Sequence, residues 1–294
     1  MTLTFDDNET LAAARARNVR DALYEDIGRC DWTAMLVPAD RPVRARVVAK
    51  ERGVLCGRDW FDACMVACDP AVRVDWHVDE GAVFEPGTTL CQIAADGRAL
   101  LSAERPSLNF VQMLSGVATV TRQYVEAIAG LSPNPRGCVV LDTRKTLPGL
   151  RQAQKYAVRV GGGQNQRLAL WHGILIKENH IAAAGGVAAS LRNAEALDAG
   201  VPIQIEVETL AQLREALDAG ATSVLLDNFT LAQMREAVAI TAGRALLETS
   251  GGVALEQMHA IAATGVDRIS IGRLTKDVQA VDYSMRIIER LGAA

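Results

Sequence analysis

The chain contains no uninterrupted apolar run that approaches the roughly 18 residues needed to cross a membrane as a helix. Its first ten residues are acidic and lack the order of basic and then apolar residues that marks a secretory signal. These two absences predict a cytoplasmic protein that does not have a membrane as its partner.

Paired cysteines are absent as well. None of the six cysteines belongs to a Cys-x-x-Cys pair, and no histidine lies close enough in sequence to complete a zinc-binding spacing. We therefore expect buried free thiols rather than a metal site at Cys30, Cys56, Cys64, Cys68, Cys91 and Cys138.

The chain also lacks an excess of positive charge. It carries 31 Lys and Arg against 35 Asp and Glu, for a net charge of −4, which argues against nucleic acid as a partner. Residues 105–180 differ from the rest, with ten Lys and Arg against three acidic residues. A local positive field inside an acidic protein suits a small polyanion, so we expect a ligand with carboxylates and phosphates.

The second half of the chain carries an internal repeat. The sequence Glu-Ala-Leu-Asp-Ala-Gly occurs at 195–200 and again at 215–220, and 262–266 is a looser copy. Each copy predicts a helix that ends at a glycine and is followed by a short apolar strand. With the other apolar runs, six strands are predicted at 138–142, 173–177, 203–208, 223–227, 245–248 and 268–272. Strands that alternate with helices indicate parallel β/α units.

Polar residues follow these strands at their carboxyl ends, where a β/α barrel builds its active site. An open doubly wound sheet would place a ligand at the same edge, so position alone does not decide the topology. Six strands predict an incomplete or unusually closed barrel. Residues 1–116 differ, with a helix at 10–24, strands at 43–50, 72–75 and 89–94, turns at 79–81 and 85–87, and a helix at 102–112. This pattern predicts a separate α+β domain.

The cationic candidates have alternative interpretations. Arg144 and Lys145 could form an ordinary solvated strand end, but their segment also contains Arg167 and Lys177, which favours a ligand site. Lys177 follows an apolar run, so it could be a Schiff-base lysine or a permanent cation. The glycines at 161–163 lack the Lys-Ser/Thr ending of a Walker motif and could be a flexible joint.

The remaining candidates lie at later strand ends. Glu206 and Asp227 could hold a divalent ion against a substrate phosphate, or could cap the helices that follow. Ser250 and the two glycines after it offer backbone N–H groups to a phosphate. A histidine in the 170–180 segment is more often a structural hydrogen-bonding residue, so His172 and His180 are left outside the catalytic set.

Several segments together resemble a known family. They are 25–33, 103–105, 108–110, 114–116, 141–151, 154–157, 176–180, 226–229 and 250–252, of which the eleven residues from Leu141 to Arg151 are the most specific. The chain resembles the quinolinate phosphoribosyltransferases, the type II phosphoribosyltransferases of NAD biosynthesis. The resemblance implies an α/β homodimer with an N-terminal α/β-sandwich domain over 1–116, on which 277–294 pack, and an incomplete β/α barrel over 117–276.

The resemblance also implies a reaction. Quinolinate and phosphoribosyl pyrophosphate would give nicotinate mononucleotide, pyrophosphate and CO₂, with Mg²⁺ as the cofactor. Quinolinate would be bound by Arg144, Arg167, Lys177 and an Arg105 from the neighbouring subunit. Lys145, Glu206 and Asp227 would be catalytic, the two acids through the metal-bound ribose and diphosphate. The other implied substrate-binding residues are Thr143, Gln166, Ser250, Gly251, Gly252, Ser270 and Gly272, with the glycines and Ser250 at the 5′-phosphate.

Two positions depart from the family pattern. Gln166 stands where a histidine is usual, and His172 stands where an aspartate is usual.

Rival activities predict different sequence features or different experimental results. A nicotinate-using phosphoribosyltransferase would not need two carboxylate clamps, a Schiff-base aldolase would be trapped at Lys177 by borohydride, and a phosphate sensor would bind without turnover. A type I phosphoribosyltransferase would need paired acids and a Thr/Gly loop after a strand, which 224–230 does not provide.

Overall fold

The computed structural model describes residues 5–290. The α-helices within that range are α1 Leu11–Ile27, α2 Arg58–Cys68, α3 Gly97–Glu126, α4 Arg151–Val160, α5 Glu178–Ala184, α6 Val187–Ala196, α7 Leu210–Asp218, α8 Leu231–Thr241, α9 Met258–Ala262 and α10 Arg273–Lys276. The 3-10 helices are Phe5–Asp7, Ala34–Leu36 and Leu255–Gln257. The strands are β1 Pro42–Ala49, β2 Gly53–Val54, β3 Arg73–Trp76, β4 Val83–Phe84, β5 Thr89–Asp96, β6 Val139–Leu141, β7 Ile174–Ile176, β8 Ile203–Val207, β9 Ser223–Asp227, β10 Leu246–Ser250, β11 Arg268–Ser270 and β12 Tyr283–Arg290.

The chain forms two compact units. The sandwich unit contains residues 9–122, 147–162 and 277–290, and the barrel unit contains residues 5–8, 123–146 and 163–276. A unit defined by contacts need not be a domain that folds alone, so the domain boundaries given above, 1–116 and 117–276, stay a prediction. Residues 291–294 of the predicted C-terminal segment lie outside the described residues.

An antiparallel sheet organises the sandwich unit, with the strand order β12-β1-β5-β3. Strand β1 alternates in the way a sheet with one buried face requires, because Val43, Ala45 and Val47 are buried while Arg44 and Arg46 are exposed. These apolar side chains share a core with residues of α2 and α3. The C-terminal strand β12 pairs antiparallel along the whole of β1.

A six-stranded sheet organises the barrel unit, and every one of its strand pairs is parallel. Its order is β6-β11-β10-β9-β8-β7. The end strands β6 and β7 are not paired with each other within residues 5–290, so the barrel is incomplete. Leu141, the last residue of β6, forms an isolated parallel bridge with Gln164. The predicted fold class, an incomplete β/α barrel with an α/β sandwich, is confirmed.

Two of the three repeat glycines behave as the sequence predicts. Gly220 and Gly265, which follow α7 and α9, have φ angles of +89° and +92°, the left-handed conformation that a chain adopts past a helix without the strain of a side chain. Gly200 has a φ of +66°, but α6 already ends at Ala196, so this glycine does not end its helix. The predicted helix at 102–112 was too short, because α3 runs from Gly97 to Glu126 and has Pro106 inside it.

The six cysteines are free, as predicted, but only Cys56, Cys64 and Cys91 are fully buried, and the other three are half-buried. Burial raises the pKa of Cys64 to about 12. None of the helices within residues 5–290 is both long enough and apolar enough to span a membrane.

Candidate active site

Parallel register brings three predicted site residues, Glu206, Asp227 and Ser250, to one edge of the barrel sheet. Ser250 at the end of β10 lies opposite Asp227 at the end of β9. Glu206 of β8 is registered with Leu225 of β9, so its side chain is on the same face as that of Asp227, two residues further along. The carboxyl ends of these strands therefore form the floor of one site, as the sequence predicts.

Asp142, directly after β6, fixes the loop that carries two substrate-binding candidates. Its carboxylate is fully buried and accepts hydrogen bonds from Asn165 Nδ2 at 2.6 Å and from the backbone N–H of Gln166 at 2.9 Å. Sequence reasoning did not include Asp142 or Asn165 among the site residues. A buried carboxylate needs such donors, so the pair holds Gln166 and Arg167 beside the end of β6.

Arg144 and Arg167 lie near each other in the barrel unit. Burial lowers the pKa of Arg167, and the positive charge of Arg144 lowers it further. One Nη1–H of Arg167 donates to the carbonyl oxygen of Gly173 at 3.1 Å, which fixes the guanidinium at the start of β7. Two half-buried cations held close together repel each other, and an anion placed between them would relieve that repulsion.

Lys177 and Glu206 form an ion pair, with 3.0 Å between Nζ and Oε2. The carboxylate side chain is 11% exposed and the ammonium side chain 44% exposed, so the pair is open to a ligand on the lysine side. A lysine held against a carboxylate acts as a cation. The geometry therefore favours the permanent cation over the Schiff-base amine as the role of Lys177.

The backbone around Lys145 is anchored on both sides. Its N–H donates to Thr143 Oγ1 at 3.1 Å, and its carbonyl oxygen accepts from Thr275 Oγ1 at 2.9 Å. The side chain passes over Gly272, where an added Cβ would lie 3.0 Å from Lys145 Cδ. Gly272 thus leaves the room that the lysine needs to extend over the end of β11.

The loop after β10 depends on glycine. Gly251 has a φ of +115° and Gly252 a φ of +59°, which a residue with a side chain rarely adopts. A Cβ on Gly251 would also collide with Oδ1 of Asn228. The Nδ2 of the same asparagine donates to Asp227 Oδ2 at 2.9 Å. Close approach of the two strand ends therefore requires glycine at 251.

Both histidines of the 170–180 segment contact the backbone. Nδ1 of His180 accepts from the N–H of Lys177 at 3.0 Å, at the start of α5, and Nδ1 of His172 accepts from the N–H of Leu168 at 3.3 Å. These contacts support the structural interpretation of both residues.

A buried polar chain beneath the site was missed by sequence reasoning. Glu248 is 1% exposed and accepts hydrogen bonds from Gln204 Nε2 at 2.8 Å and from the hydroxyl of Ser270. Gln204 in turn accepts from Gln166 Nε2 at 2.9 Å. Burial raises the pKa of Glu248, while the two hydrogen bonds that it accepts oppose the shift. The available signal was the presence of Gln204 in β8 and of Glu248 in β10, polar residues within strands that the sequence predicts.

The donor set for a metal consists of carboxylates without histidine or cysteine. No cluster of three or more His, Cys, Asp or Glu side chains suited to a metal occurs in the part of the chain that the structure describes. Glu206 and Asp227 lie on neighbouring strands as diagonal neighbours. Mg²⁺ is commonly held by one or two carboxylates together with substrate phosphates, so these two residues fit a metal that arrives with a diphosphate.

Arg105 is the one predicted site residue of the sandwich unit. It lies exposed on α3.

Comparison with known proteins gives one consistent result. Residues 31–115 match the model of the quinolinate phosphoribosyl transferase N-terminal domain, and residues 117–286 match that of its C-terminal domain. The chain is 42% identical over 277 residues to the nicotinate-nucleotide pyrophosphorylase (carboxylating) of Mycobacterium leprae, covering 91% of this chain and 95% of that protein. It is 39% identical over 264 residues to the probable enzyme of the same name from Bacillus subtilis, covering 90% of each.

A solved structure shows the same likeness. The nicotinate-nucleotide pyrophosphorylase from Francisella tularensis superimposes with a TM-score of 0.90 at 39% identity, covering 96% of this chain and 98% of that one. Both family models, the curated relatives and the structure agree with the resemblance seen in the sequence. The chain belongs to the quinolinate phosphoribosyltransferase family.

Proposed function

We propose that the chain transfers the phosphoribosyl group of phosphoribosyl pyrophosphate to quinolinate and releases pyrophosphate and CO₂, giving nicotinate mononucleotide in NAD biosynthesis. The observation that carries this proposal is the half-buried pair of guanidiniums, Arg144 and Arg167, in the unit that also carries Lys177. Membership of the family supports it.

Quinolinate has two adjacent carboxylates on one ring, and its partner substrate has a monophosphate and a diphosphate. Together in one site these anions would repel each other. The cations Arg144, Arg167 and Lys177 offset that repulsion through charge-assisted hydrogen bonds, each contributing roughly 1.5–3 kcal/mol. A planar guanidinium fork matches the geometry of a carboxylate, which is why we assign the two arginines to quinolinate.

The catalytic residues of the proposal act on the leaving group and the ribose. Lys145 extends over Gly272 and stabilises negative charge that develops on the departing pyrophosphate. Glu206 and Asp227 hold the ribose hydroxyls and the metal-bound diphosphate. When bound, Mg²⁺ supplies positive charge to the diphosphate oxygens. Before the substrates bind, Lys177 neutralises Glu206, so neither charge stands alone in the site.

The 5′-phosphate is assigned to the glycine-rich strand ends. Gly251, Gly252 and Gly272 let the phosphate approach the backbone closely, and the hydroxyl of Ser250 adds a donor. Thr143 lies beside Gly272, with Oγ1 3.6 Å from the position of a Cβ there. Ser270 is also retained as a substrate-binding candidate, although its hydroxyl bonds to Glu248.

Decarboxylation follows from the substrate's own chemistry. Once the ring nitrogen carries the ribose, the pyridinium stabilises the electron pair left at C2 when CO₂ departs. No nucleophile from the protein is required, which agrees with the ion-paired state of Lys177. The arginines then hold the remaining carboxylate while C2 takes a proton from water and forms a C–H bond.

The active form is proposed to be a homodimer in which Arg105 acts in the neighbouring subunit's site. Arg105 is exposed on α3, so its side chain is accessible to another copy of the chain. It would supply one further cation to the quinolinate carboxylates.

The proposal is tested by incubating the protein with quinolinate, phosphoribosyl pyrophosphate and Mg²⁺ and measuring nicotinate mononucleotide and CO₂. Equal amounts of both products are expected, and nicotinate offered in place of quinolinate should not be converted. Turnover of nicotinate at the rate of quinolinate would favour the nicotinate-using enzyme. Borohydride trapping at Lys177 would favour an aldolase, and ligand binding without product would favour a phosphate sensor.

A further inference from the structure

A chain of hydrogen bonds runs beneath the proposed quinolinate site from the buried Glu248 through Gln204 to the half-buried Gln166. It continues to the backbone N–H of Arg167, which donates to Gln166 Oε1 at 2.6 Å. We propose that Gln204 and Glu248 are positioning residues, which fix the orientation of the Gln166 amide and thereby the placement of Arg167 against the dicarboxylate. This inference rests on the proposed function.

The direction of every bond in the chain follows from Glu248. Its Oε2 can only accept from Gln204, so the Nε2 of Gln204 points to Glu248 and its Oε1 points to Gln166. The Nε2 of Gln166 must then point to Gln204, which leaves its Oε1 for Arg167. An ionised Glu248 imposes this order, and so does a neutral Glu248 whose proton lies on Oε1 and is donated to Ser270.

Packing alone does not hold the Gln166 amide. A cavity of about 420 Å³ lies at the amino ends of the barrel strands, and its walls include Gln166, Arg167, Gln204 and Glu248. The cavity gives the amide of Gln166 room to turn away from the site. The hydrogen bond to Gln204, which is itself 7% exposed and bonded to Glu248, therefore contributes to the orientation of the amide.

The main chain and the side chain of Gln166 are held by different residues. Asp142 accepts from the backbone N–H of Gln166 and so fixes the main chain, whereas Gln204 bonds only to the side-chain amide. Loss of Gln204 should consequently leave the main-chain anchor at Gln166 in place, turn the Gln166 amide, and remove the oxygen that accepts from the N–H of Arg167, so that Arg167 shifts. The effect should appear in quinolinate binding and not in the binding of phosphoribosyl pyrophosphate.

The test compares Gln204→Leu, which keeps the size of the side chain and removes its hydrogen bonds, with Thr249→Val on the opposite face of β10. Thr249 is buried and its hydroxyl has no hydrogen-bond partner among the described residues, so its replacement is a matched control. Gln204→Leu should raise the Kd of quinolinate about tenfold, the effect of one lost buried hydrogen bond, with the Kd of phosphoribosyl pyrophosphate and Mg²⁺ unchanged. The control should change neither.

Two further comparisons separate positioning from a structural role. In a Gln166→Leu background, Gln204→Leu should have no additional effect on quinolinate binding, because the amide that it orients is gone. Glu248→Gln can still accept from Gln204 and donate to Ser270, so it should bind quinolinate nearly as well as the unmodified chain, whereas Glu248→Leu should not. Should Gln204→Leu fail to fold, Gln204→Met is compared in the same way.

Additive effects of the two leucine substitutions, or equal weakening of both substrates by Gln204→Leu, would overturn the positioning role. The unmodified chain is assayed in parallel. If it does not convert quinolinate at all, the proposed function fails; if it does and Gln204→Leu behaves like Thr249→Val, only the positioning proposal fails.

Discussion

Replacement of Arg167 by alanine should weaken quinolinate binding strongly while leaving the fold nearly intact. In the free protein, Arg167 makes a hydrogen bond from Nη1 to the carbonyl oxygen of Gly173 and is repelled by Arg144. The substitution therefore removes one hydrogen bond, worth about 1 kcal/mol of unfolding free energy, and relieves a repulsion that partly offsets the loss. We expect only a small decrease in Tm.

In the complex with quinolinate, the loss of Arg167 costs more free energy than it does in the free protein. A carboxylate that has lost its guanidinium in a half-buried site remains largely unpaired, at a cost of about 2–4 kcal/mol. This corresponds to a decrease of roughly 30- to 1000-fold in kcat/KM for quinolinate. Arg167→Lys keeps the charge and loses the planar fork, so its effect should be intermediate.

The assay is titration calorimetry with quinolinate, and separately with phosphoribosyl pyrophosphate and Mg²⁺, combined with steady-state kinetics. Arg144→Ala should behave like Arg167→Ala, and the exposed Arg192→Ala is the control for loss of one positive charge from the same unit. The Kd of phosphoribosyl pyrophosphate should change little in all three variants. Unchanged quinolinate affinity in Arg144→Ala and Arg167→Ala would refute the assignment of the arginine pair.

Three further predictions concern the metal, the dimer and the phosphate loop. Glu206→Gln and Asp227→Asn should each raise the Mg²⁺ concentration needed for half-maximal turnover, because a hard anionic ligand is lost; an unchanged Mg²⁺ dependence would mark the carboxylates as structural. Mixing inactive Arg105→Ala with inactive Lys145→Ala under subunit exchange should restore activity, since a heterodimer then has one intact site; a well-mixed heterodimer without activity would show that Arg105 serves its own barrel. Gly251→Ala should raise the KM for phosphoribosyl pyrophosphate at least tenfold, because residue 251 has a φ of +115° and a Cβ there would collide with Asn228. A KM equal to that of the unmodified chain would exclude this loop from the site.

The barrel strands could be predicted from the sequence because each is a short apolar run, and β9 and β11 also begin shortly after a glycine that follows a helix. The strand at 223–227 was predicted with its observed bounds, and the bounds of the other five differ by at most two residues at either end. The helix α1 could also be predicted, since Thr10 caps it through a hydrogen bond from the N–H of Ala13.

Other elements left no comparable local signal. The strands β2 and β4 are two residues long each and form by pairing with each other, so periodicity could not reveal them. The strand β12 is mostly exposed, and its pairing with β1 is a contact across more than 230 residues of sequence. The buried chain from Glu248 to Gln166 likewise joins three distant segments, and a single polar residue in a strand does not show which partner it has.

The grouping of Glu206, Asp227 and Ser250 could be predicted for another reason, because parallel strands bring their carboxyl ends together. The roles of the site residues stay a prediction. What the sequence could not supply was the pairing within the set. The contact of Lys177 with Glu206, and the closeness of Arg144 to Arg167, depend on strand register and side-chain direction. The cytoplasmic location, the homodimer and the role of Mg²⁺ stay predictions.

The measurement that tests the central claim most directly follows the two carboxylates of quinolinate separately. Quinolinate labelled at the C2 carboxylate or at the C3 carboxylate is incubated with the protein, phosphoribosyl pyrophosphate and Mg²⁺, and label is counted in CO₂ and in the nucleotide. The account predicts that the C2 label leaves as CO₂ in equal amount to the pyrophosphate formed, and that the C3 label stays in nicotinate mononucleotide. Nucleotide formation without release of the C2 label, or no transfer of the phosphoribosyl group to quinolinate, would contradict it.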